Sequence, residues 1–491
     1  MNPHSMFRRG FTDLDDLAGA TDLTLDRSTY INDPIHGYIQ LSEDMLQIID
    51  TPQFQRLRNL KQMGTSYFVF PGGSHNRFEH CIGTAFLAGE VAQGLAQRQP
   101  ELAISKRDIR CVTLAGLCHD LGHGPFSHVF DNEFIPRARP GAQWSHEMGS
   151  EMMLHHLIDE NAIDTLDACD VAFIKQLIRG TSRPVGGEKM FLFDIVANKR
   201  NGVDVDRFDY VQRDCYNVGV RTSYDFSRLM LNSRVIGDEI CYNQKEAFNL
   251  TEMFHTRYSL HKRVYSHRAA KAIEFMIVDA MLIADPVLHI SHAITDPRRY
   301  QTLTDNVVHD IERSTEPELQ EARNLIARIH IRDTYKFVDE YILPPDLAAM
   351  ASGHVVNAAA VVGFRTPNDD FTEHDVLIDI CRINYGQGSD NPIDHVRFYS
   401  KYSVDEKYRI DHEMISLCVP EKYEERILRI YTRTPGRRGQ IQRAARRLID
   451  KLNRSVPSLP GSSPPSITPN RGLTIPDGPT LADSKRRRLR F

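Results

Sequence analysis

The chain contains no apolar run long enough to span a bilayer, and its N-terminus lacks the hydrophobic stretch of a secretory leader. It has no CxxC pair. Its 8 cysteines are scattered, which excludes a zinc ribbon and implies reduced thiols, as in a cytosolic or nuclear protein. Positive charge is not in excess either. Lys and Arg number 60 against 65 Asp and Glu, and the net charge of -5 excludes a globally basic nucleic-acid binder while leaving room for local basic patches. No internal repeat is present. What remains is length and apolar content: 491 residues, 41% of them hydrophobic, suffice for one large domain or two smaller ones with a real core.

Residues 1–27 are polar and weakly patterned, and read as a flexible lead-in. From Ile31 to about Leu452 the pattern is mostly helical. A short β-like run, Tyr67-Phe68-Val69-Phe70, is closed by Pro71-Gly72-Gly73. Strands are expected at Val376–Ile380 and Val396–Tyr399, in a second lobe beginning near Asp333. Serine, proline and glycine dominate Ser455 to Asp483, the composition of a disordered tail, before a basic end at Lys485–Phe491. The expectation is a mainly α protein: a helical core over 28–332, a smaller mixed α/β lobe over 333–452 and a tail over 453–491.

The densest chemistry lies in the stretch Leu114–His128, where His119-Asp120, His123 and His128 follow an apolar helical run and meet Gly122, Gly124 and Pro125. Ser105 with Asp108 suits the start of that helix and the glycines its end. Imidazoles and a carboxylate at the end of a buried helix are costly unless something pairs with them, and one metal ion would pair with several. A His-Asp doublet alone says little. Two others, His309-Asp310 and His374-Asp375, sit in polar surroundings and read as solvated. Upstream, His80 opens another helical stretch, where a lone histidine is more often a core residue than a ligand. Downstream, Asp206, Tyr210 and Asp214 recur every four residues and would share one helical face. The competing reading there is an acidic solvated helix.

The order His80, His119-Asp120, Asp206 resembles the signature of the HD superfamily of metal-dependent phosphohydrolases. Asn32–Gly37, Asp50–Arg58, Phe70-Pro71-Gly72, Ser74–His80 and Asn198–Gly202 resemble one branch closely, the sterile-alpha-motif and HD-domain deoxynucleoside triphosphate triphosphohydrolases. The similarity runs from about residue 29 to 435, with fewer than thirty residues before it and so no sterile-alpha-motif domain in this sequence. It implies an HD-domain helical core in which His80, His119, Asp120 and Asp206 hold Fe, Mn, Zn or Ni, with Mg accompanying the nucleotides. Water activated there would attack the α-phosphorus of a dNTP, giving deoxynucleoside and inorganic triphosphate. His128 is the first choice for the acid that protonates the leaving 5′-oxygen, with His123 and His146 beside it and Asp131 orienting an imidazole.

By the same resemblance, Arg77, Arg207, Arg257 and Lys199 offer charge to the triphosphate, and Gln62, Asp204, Tyr210, Asp214 and Tyr265 border the nucleoside. Arg207 stands where the family has Lys, and Ser266 where it has Gln. Asp50, Gln55 and Arg58 on an early helix, with Asn32 ahead of it, and Arg228, Lys245, Asn249 and Arg268, match sites for GTP and dNTP activators that assemble a homotetramer. Thr29 and Asn243 replace a Lys and an Arg, which predicts weaker or altered activator dependence. In the tail, Thr468-Pro469-Asn470-Arg471 fits a cyclin-dependent kinase site and Arg487–Phe491 a cyclin-docking pattern, while Lys485–Arg490 suits nuclear import. The family role would be lowering dNTP pools, with antiviral consequence. Competing readings are another HD nucleotidase or phosphodiesterase, and a single-stranded nucleic-acid binder using Arg437-Arg438 and Arg443–Arg447, which lack interleaved aromatics. No membrane partner is expected.

Overall fold

The computed structural model describes residues 29–180, 187–343 and 355–454 and the backbone of 468–469. The lead-in and nearly all of the tail, including Arg487–Phe491, lie outside the described residues. The chain opens on an antiparallel hairpin, Thr29–Asp33 with Gly37–Leu41. The helices that build the site follow: α1 (Arg77–Arg98), α2 (Lys106–Cys118), α3 (His146–Glu160), α4 (Val205–Val218), α5 (Ala247–Leu260) and α6 (Arg268–Leu288). Most of the starts have a local cause. Asn76 with Glu79, and Ser105 with Asp108 as predicted, form capping boxes, while Ser145 and Asp204 cap α3 and α4 with single side chains. Gly116 lets α1 and α2 touch, since a Cβ there would stand 3.1 Å from the backbone of Thr84 and Ala85.

The expected strand at Tyr67–Phe70 is instead a 3-10 turn over Gly64–Phe68, because Val69 and Phe70 donate back to the Ser66 carbonyl. The Val376–Ile380 run belongs to a strand, Val376–Asn384, that pairs antiparallel with Glu424–Thr432. That strand pairs in turn with Lys336–Leu343, at whose outer edge the backbone of Thr468–Pro469 adds a short strand. Helix Arg438–Arg454 covers this sheet through Ile441, Ala445 and Leu448, giving a second, smaller core. Phe398–Ser400 is also a strand, but it pairs with Glu239–Asn243 and buries Phe398 in the large core. His374-Asp375 departs from its solvated reading. Asp375 is buried, accepting from Thr372, Thr434 and Arg437. His309 is exposed, as expected, beside Glu312.

The loop after α2 is clamped from three sides. The buried guanidinium of Arg56 donates to the carbonyls of Leu121 (3.2 Å), His123 (2.6 Å), Tyr300 (3.0 Å) and Leu303 (2.9 Å). Tyr300 Oη donates to Gly122 O at 2.6 Å. Ser150 Oγ, on α3, donates to His119 O at 2.6 Å and accepts from Gly122 N at 2.9 Å. Gly122 lies so close to α3 that a Cβ would come within 1.9 Å of Ser150 N and 2.2 Å of His146 O. The obstacles are backbone and cannot yield. Gly122→Ala is therefore expected to lower the unfolding free energy by about 1–3 kcal/mol, read by urea denaturation against the parent chain.

Candidate metal centre and active site

Three helix ends bring four side chains to one point. His80 lies in the first turns of α1, His119 caps the C-terminal end of α2 with Asp120 next to it, and Asp206 lies in the first turn of α4. His80 Nε2 is 3.1 Å from Asp206 Oδ1 and 3.5 Å from Asp120 Oδ2. His119 Nε2 is 3.5 Å from a carboxylate oxygen of each acid. The opposite nitrogens are spoken for: His80 Nδ1 donates to Asp209 Oδ2 at 2.6 Å and His119 Nδ1 to Gly116 O at 2.8 Å. In the neutral rings that leaves the lone pair on Nε2, and both Nε2 atoms are buried with no hydrogen-bond partner. An acceptor buried without a donor costs about 1–3 kcal/mol. A cation answers both at once, and two imidazoles with two carboxylates suit a divalent transition metal. The electrostatics call for positive charge at the same point. Burial opposes charging of His80, yet Asp206, Asp209 and Asp120 more than offset it and push its pKa up to about 10, so a proton holds the place that a cation would take.

A second group lies alongside. His123 stacks on His146 with centroids 4.1 Å apart, and His128 stands 5.0 and 5.2 Å from the two rings. Asp131 Oδ2 accepts from His146 Nδ1 at 2.9 Å and lies 3.9 Å from His128 Nδ1. His123 is buried, and burial together with Arg77 and His146 holds its pKa well below the usual histidine value. The His128 side chain is 62% exposed and lines the mouth of the group. These four side chains, like His80, His119 and Asp120, are close enough to share an ion.

The phosphate candidates divide. Arg77 is buried, ion-paired to Asp120 and bonded to Ser127 Oγ at 3.0 Å, so its charge is already committed. Arg207 passes Gly202 and Gly386, where a Cβ would stand 2.3 and 2.9 Å from its Nη1. Arg257 donates Nη1 to Asn384 O at 3.0 Å. Arg207 Nη1 and Arg257 Nε are buried donors with no acceptor, and Gln62 Oε1 is a buried acceptor with no donor. Lys199 packs its stem beside Gly180. His261, absent from the sequence reading, belongs with this group: burial, Arg257, His128 and Arg207 push its pKa down to about 3. Asp204 is the α4 cap, its oxygens accepting from Arg207 N and Asn198 N at 3.1 Å, which makes it a backbone anchor rather than a contact for a ligand. Asp214 accepts from His75 Nε2 at 2.6 Å and from the Tyr265 hydroxyl. Tyr210, on the same face of α4, packs partly buried against the core.

The activator candidates do not share one early helix. Asp50 caps helix Glu43–Ile49, Gln55 ends helix Pro52–Gln55, and Arg58 lies in the 3-10 turn Arg56–Asn59. Arg58 Nε donates to Gln55 Oε1 at 2.8 Å, and its guanidinium covers the Phe78 ring. Asn32 is exposed in the hairpin. Arg228 and Asn249 gather around buried Glu246 at 2.8 and 3.1 Å, with Lys245 its chain neighbour, while Arg268 stacks over Phe337. Asn243 caps the turn Gln244–Glu246, and Thr29 opens the hairpin.

Sequence reasoning also missed Asp209, His36, Arg213, Arg56 and Ser150. One signal was available, the i,i+4 pair Asp209–Arg213 on the face of α4 opposite to solvent.

Residues 77–214 match the family model described as HD domain. The deoxynucleoside triphosphate triphosphohydrolase SAMHD1 homolog of Dictyostelium discoideum is 44% identical over 87% of this chain and 82% of its own length. The deoxynucleoside triphosphate triphosphohydrolase SAMHD1 of Homo sapiens is 42% identical over 84% of this chain and 72% of its own. A putative HD domain-containing protein, L394, of Acanthamoeba polyphaga mimivirus is 34% identical over 62% of this chain. With four candidate metal ligands gathered from three helix ends and identity of this extent, the chain belongs to the SAMHD1 family of HD-domain proteins.

Proposed function

We propose that the protein hydrolyses deoxynucleoside triphosphates to deoxynucleoside and inorganic triphosphate at the centre formed by His80, His119, Asp120 and Asp206. The observation that carries this reading is a juxtaposition. Two lone-pair nitrogens and two carboxylates that call for a cation lie in one molecule with buried, unpaired guanidinium N–H groups of Arg207 and Arg257 that call for an anion. Relatives that share most of the chain are named for this activity. A divalent cation held by the four side chains would supply Lewis acidity and would acidify water.

The protein's own groups do the rest. Arg207 and Arg257 hold the triphosphate oxygens in the dry, cationic surroundings that also keep His261 neutral. Asp214, oriented by His75 and Tyr265, keeps a lone pair on each oxygen for a sugar hydroxyl, and Tyr210 and Gln62 border the same sugar. The leaving 5′-oxygen takes its proton from His128, which alone of the three clustered histidines is exposed enough to reach an incoming nucleotide. His146 and Asp131 form the fixed, charged base behind it. Guanine nucleotide at Asp50, Gln55 and Arg58, and a deoxynucleotide near Arg228, Lys245, Asn249 and Arg268, promote a homotetramer. Thr29 and Asn243 bring no charge to that cradle, so activation is weak. Phosphorylation at Thr468, cyclin docking at Arg487–Phe491, a nuclear location and restriction of viral DNA synthesis complete the reading, on the strength of the sequence motifs.

Incubation of the purified protein with each dNTP, with and without GTP, should release inorganic triphosphate and deoxynucleoside on ion-exchange chromatography. His119→Ala, Asp120→Ala and Asp206→Ala should each abolish release while retaining the parent circular dichroism. Release of phosphate or nucleoside monophosphate instead would point to a different HD reaction. His128→Gln should lower turnover by about 10²–10⁴-fold with metal content unchanged.

His146 yields a pH prediction. Burial opposes its charge, but the Asp131 hydrogen bond and Glu147 more than offset this and raise its pKa. The His146–Asp131 pair therefore stabilises the fold fully below the unfolded histidine pKa of about 6.5, and that contribution is lost as pH rises through the higher folded value. In Asp131→Asn the His146 ring protons should titrate at lower pH by NMR, and the loss of stability on raising the pH should flatten.

A further inference from the structure

We propose that Asp209 is a positioning residue for the metal centre, and that the N-terminal hairpin forms its outer frame through His36 and Asp33. The inference rests on the metal-centre reading and adds residues to which that reading gives no part. Asp209 has no exposed surface, and its carboxylate is fully engaged. It accepts from His80 Nδ1 at 2.6 Å, from His36 Nε2 at 2.7 Å, and from Arg213 Nε and Nη2 at 2.8 Å each. Arg213 uses its third nitrogen, Nη1, on Asp33 Oδ2 at 2.8 Å. Asp33 in turn organises the hairpin turn, where its Oδ1 accepts from Ile35 N at 2.8 Å and His36 N at 2.9 Å.

Two further features show that the carboxylate is placed rather than merely tolerated. Gly83 lies on α1 just beyond His80, and a Cβ there would stand 2.0 Å from Asp209 Oδ1 and 2.5 Å from Arg213 Nη2. The absent side chain is the space the carboxylate occupies. The His36 ring is held between Phe86 and Phe226, with centroids at 5.5 and 5.7 Å, so the network is closed off by aromatic rings. A carboxylate on the far nitrogen of a ligating imidazole fixes the tautomer, orients the ring and raises the basicity of the ligating nitrogen; losing such a partner typically weakens metal binding about 10–100-fold. His119 has only a backbone carbonyl in that place, so Asp209 is the charged member of the frame. His36, Asp33 and Arg213 determine where it sits.

The test is a Co²⁺ titration of the metal-free full-length protein, following the d–d absorption, with thermal unfolding of each metal-free variant as a control for folding. Asp209→Asn is expected to bind Co²⁺ about 10–100-fold more weakly with an altered band. His36→Phe, which keeps the packing against Phe86 and Phe226 but donates nothing, is expected to shift affinity in the same direction with an unchanged metal-free Tm. A merely structural role would lower Tm and leave affinity and band alone. Unchanged affinity in both variants, with binding lost in His80→Ala, overturns the positioning role and leaves the centre standing. Equal Co²⁺ binding by the parent and His80→Ala overturns both. If Asp209→Asn fails to fold because Arg213 loses its partner, His36→Phe decides by the same criterion.

Discussion

Everything near the site serves one unusual condition: two imidazole nitrogens are kept buried, facing inward and without a hydrogen-bond partner. That arrangement is unfavourable in the absence of a cation, since each orphaned acceptor has given up water for nothing. Each ring is held in it by a different device. His119 caps the C-terminal end of α2, so its Nδ1 finds the carbonyl of Gly116 in the last turn of that helix. His80 lies in the first turns of α1, and uses Asp209 from a separate helix.

The frame around the rings is mostly backbone held by buried polar side chains. Arg56 gathers carbonyls from two distant segments, which a lysine could not do because only the guanidinium offers a rigid fan of donors. Burial of that guanidinium lowers its pKa, while Tyr300 and Asp305 counteract the loss. Breaking such a network leaves either a charge or several carbonyls unpaired in a dry interior, at a cost of about 3–5 kcal/mol. Ser150 adds the reverse linkage, tying the α3 helix that starts at His146 to the loop that starts at His119. The metal-ligand pair and the second histidine group are thus mechanically one unit.

Charge is allocated with similar economy. Arg77 and Arg213 neutralise carboxylates within the frame, whereas Arg207 and Arg257 retain unpaired donors. On the basic helix Arg438–Arg454 of the small lobe, Arg446 pairs with Asp339 and Arg447 with Asp369, while Arg437 just ahead of it pairs with Asp375. Much of that charge is therefore answered inside the lobe.

Several features were legible in the sequence because they are local. The capping box at Ser105, the helical face carrying Asp206, Tyr210 and Asp214, and the density of histidines around Asp120 each rest on residues close together along the chain. The short aromatic run at Tyr67–Phe70 misled for the same reason: its β-branched and aromatic content favours a strand, yet no neighbouring strand is there to accept its hydrogen bonds. Whether Arg77 is spent on Asp120, Asp204 on capping α4, or Asp375 on Arg437 depends on partners tens or hundreds of residues away along the chain or on backbone direction. The role of Asp209 is of that kind. The sequence determined which side chains could bind a cation, since ligand chemistry resides in the residue; only the tertiary structure decided which nitrogen of each ring faces inward, because that depends on what the other nitrogen meets.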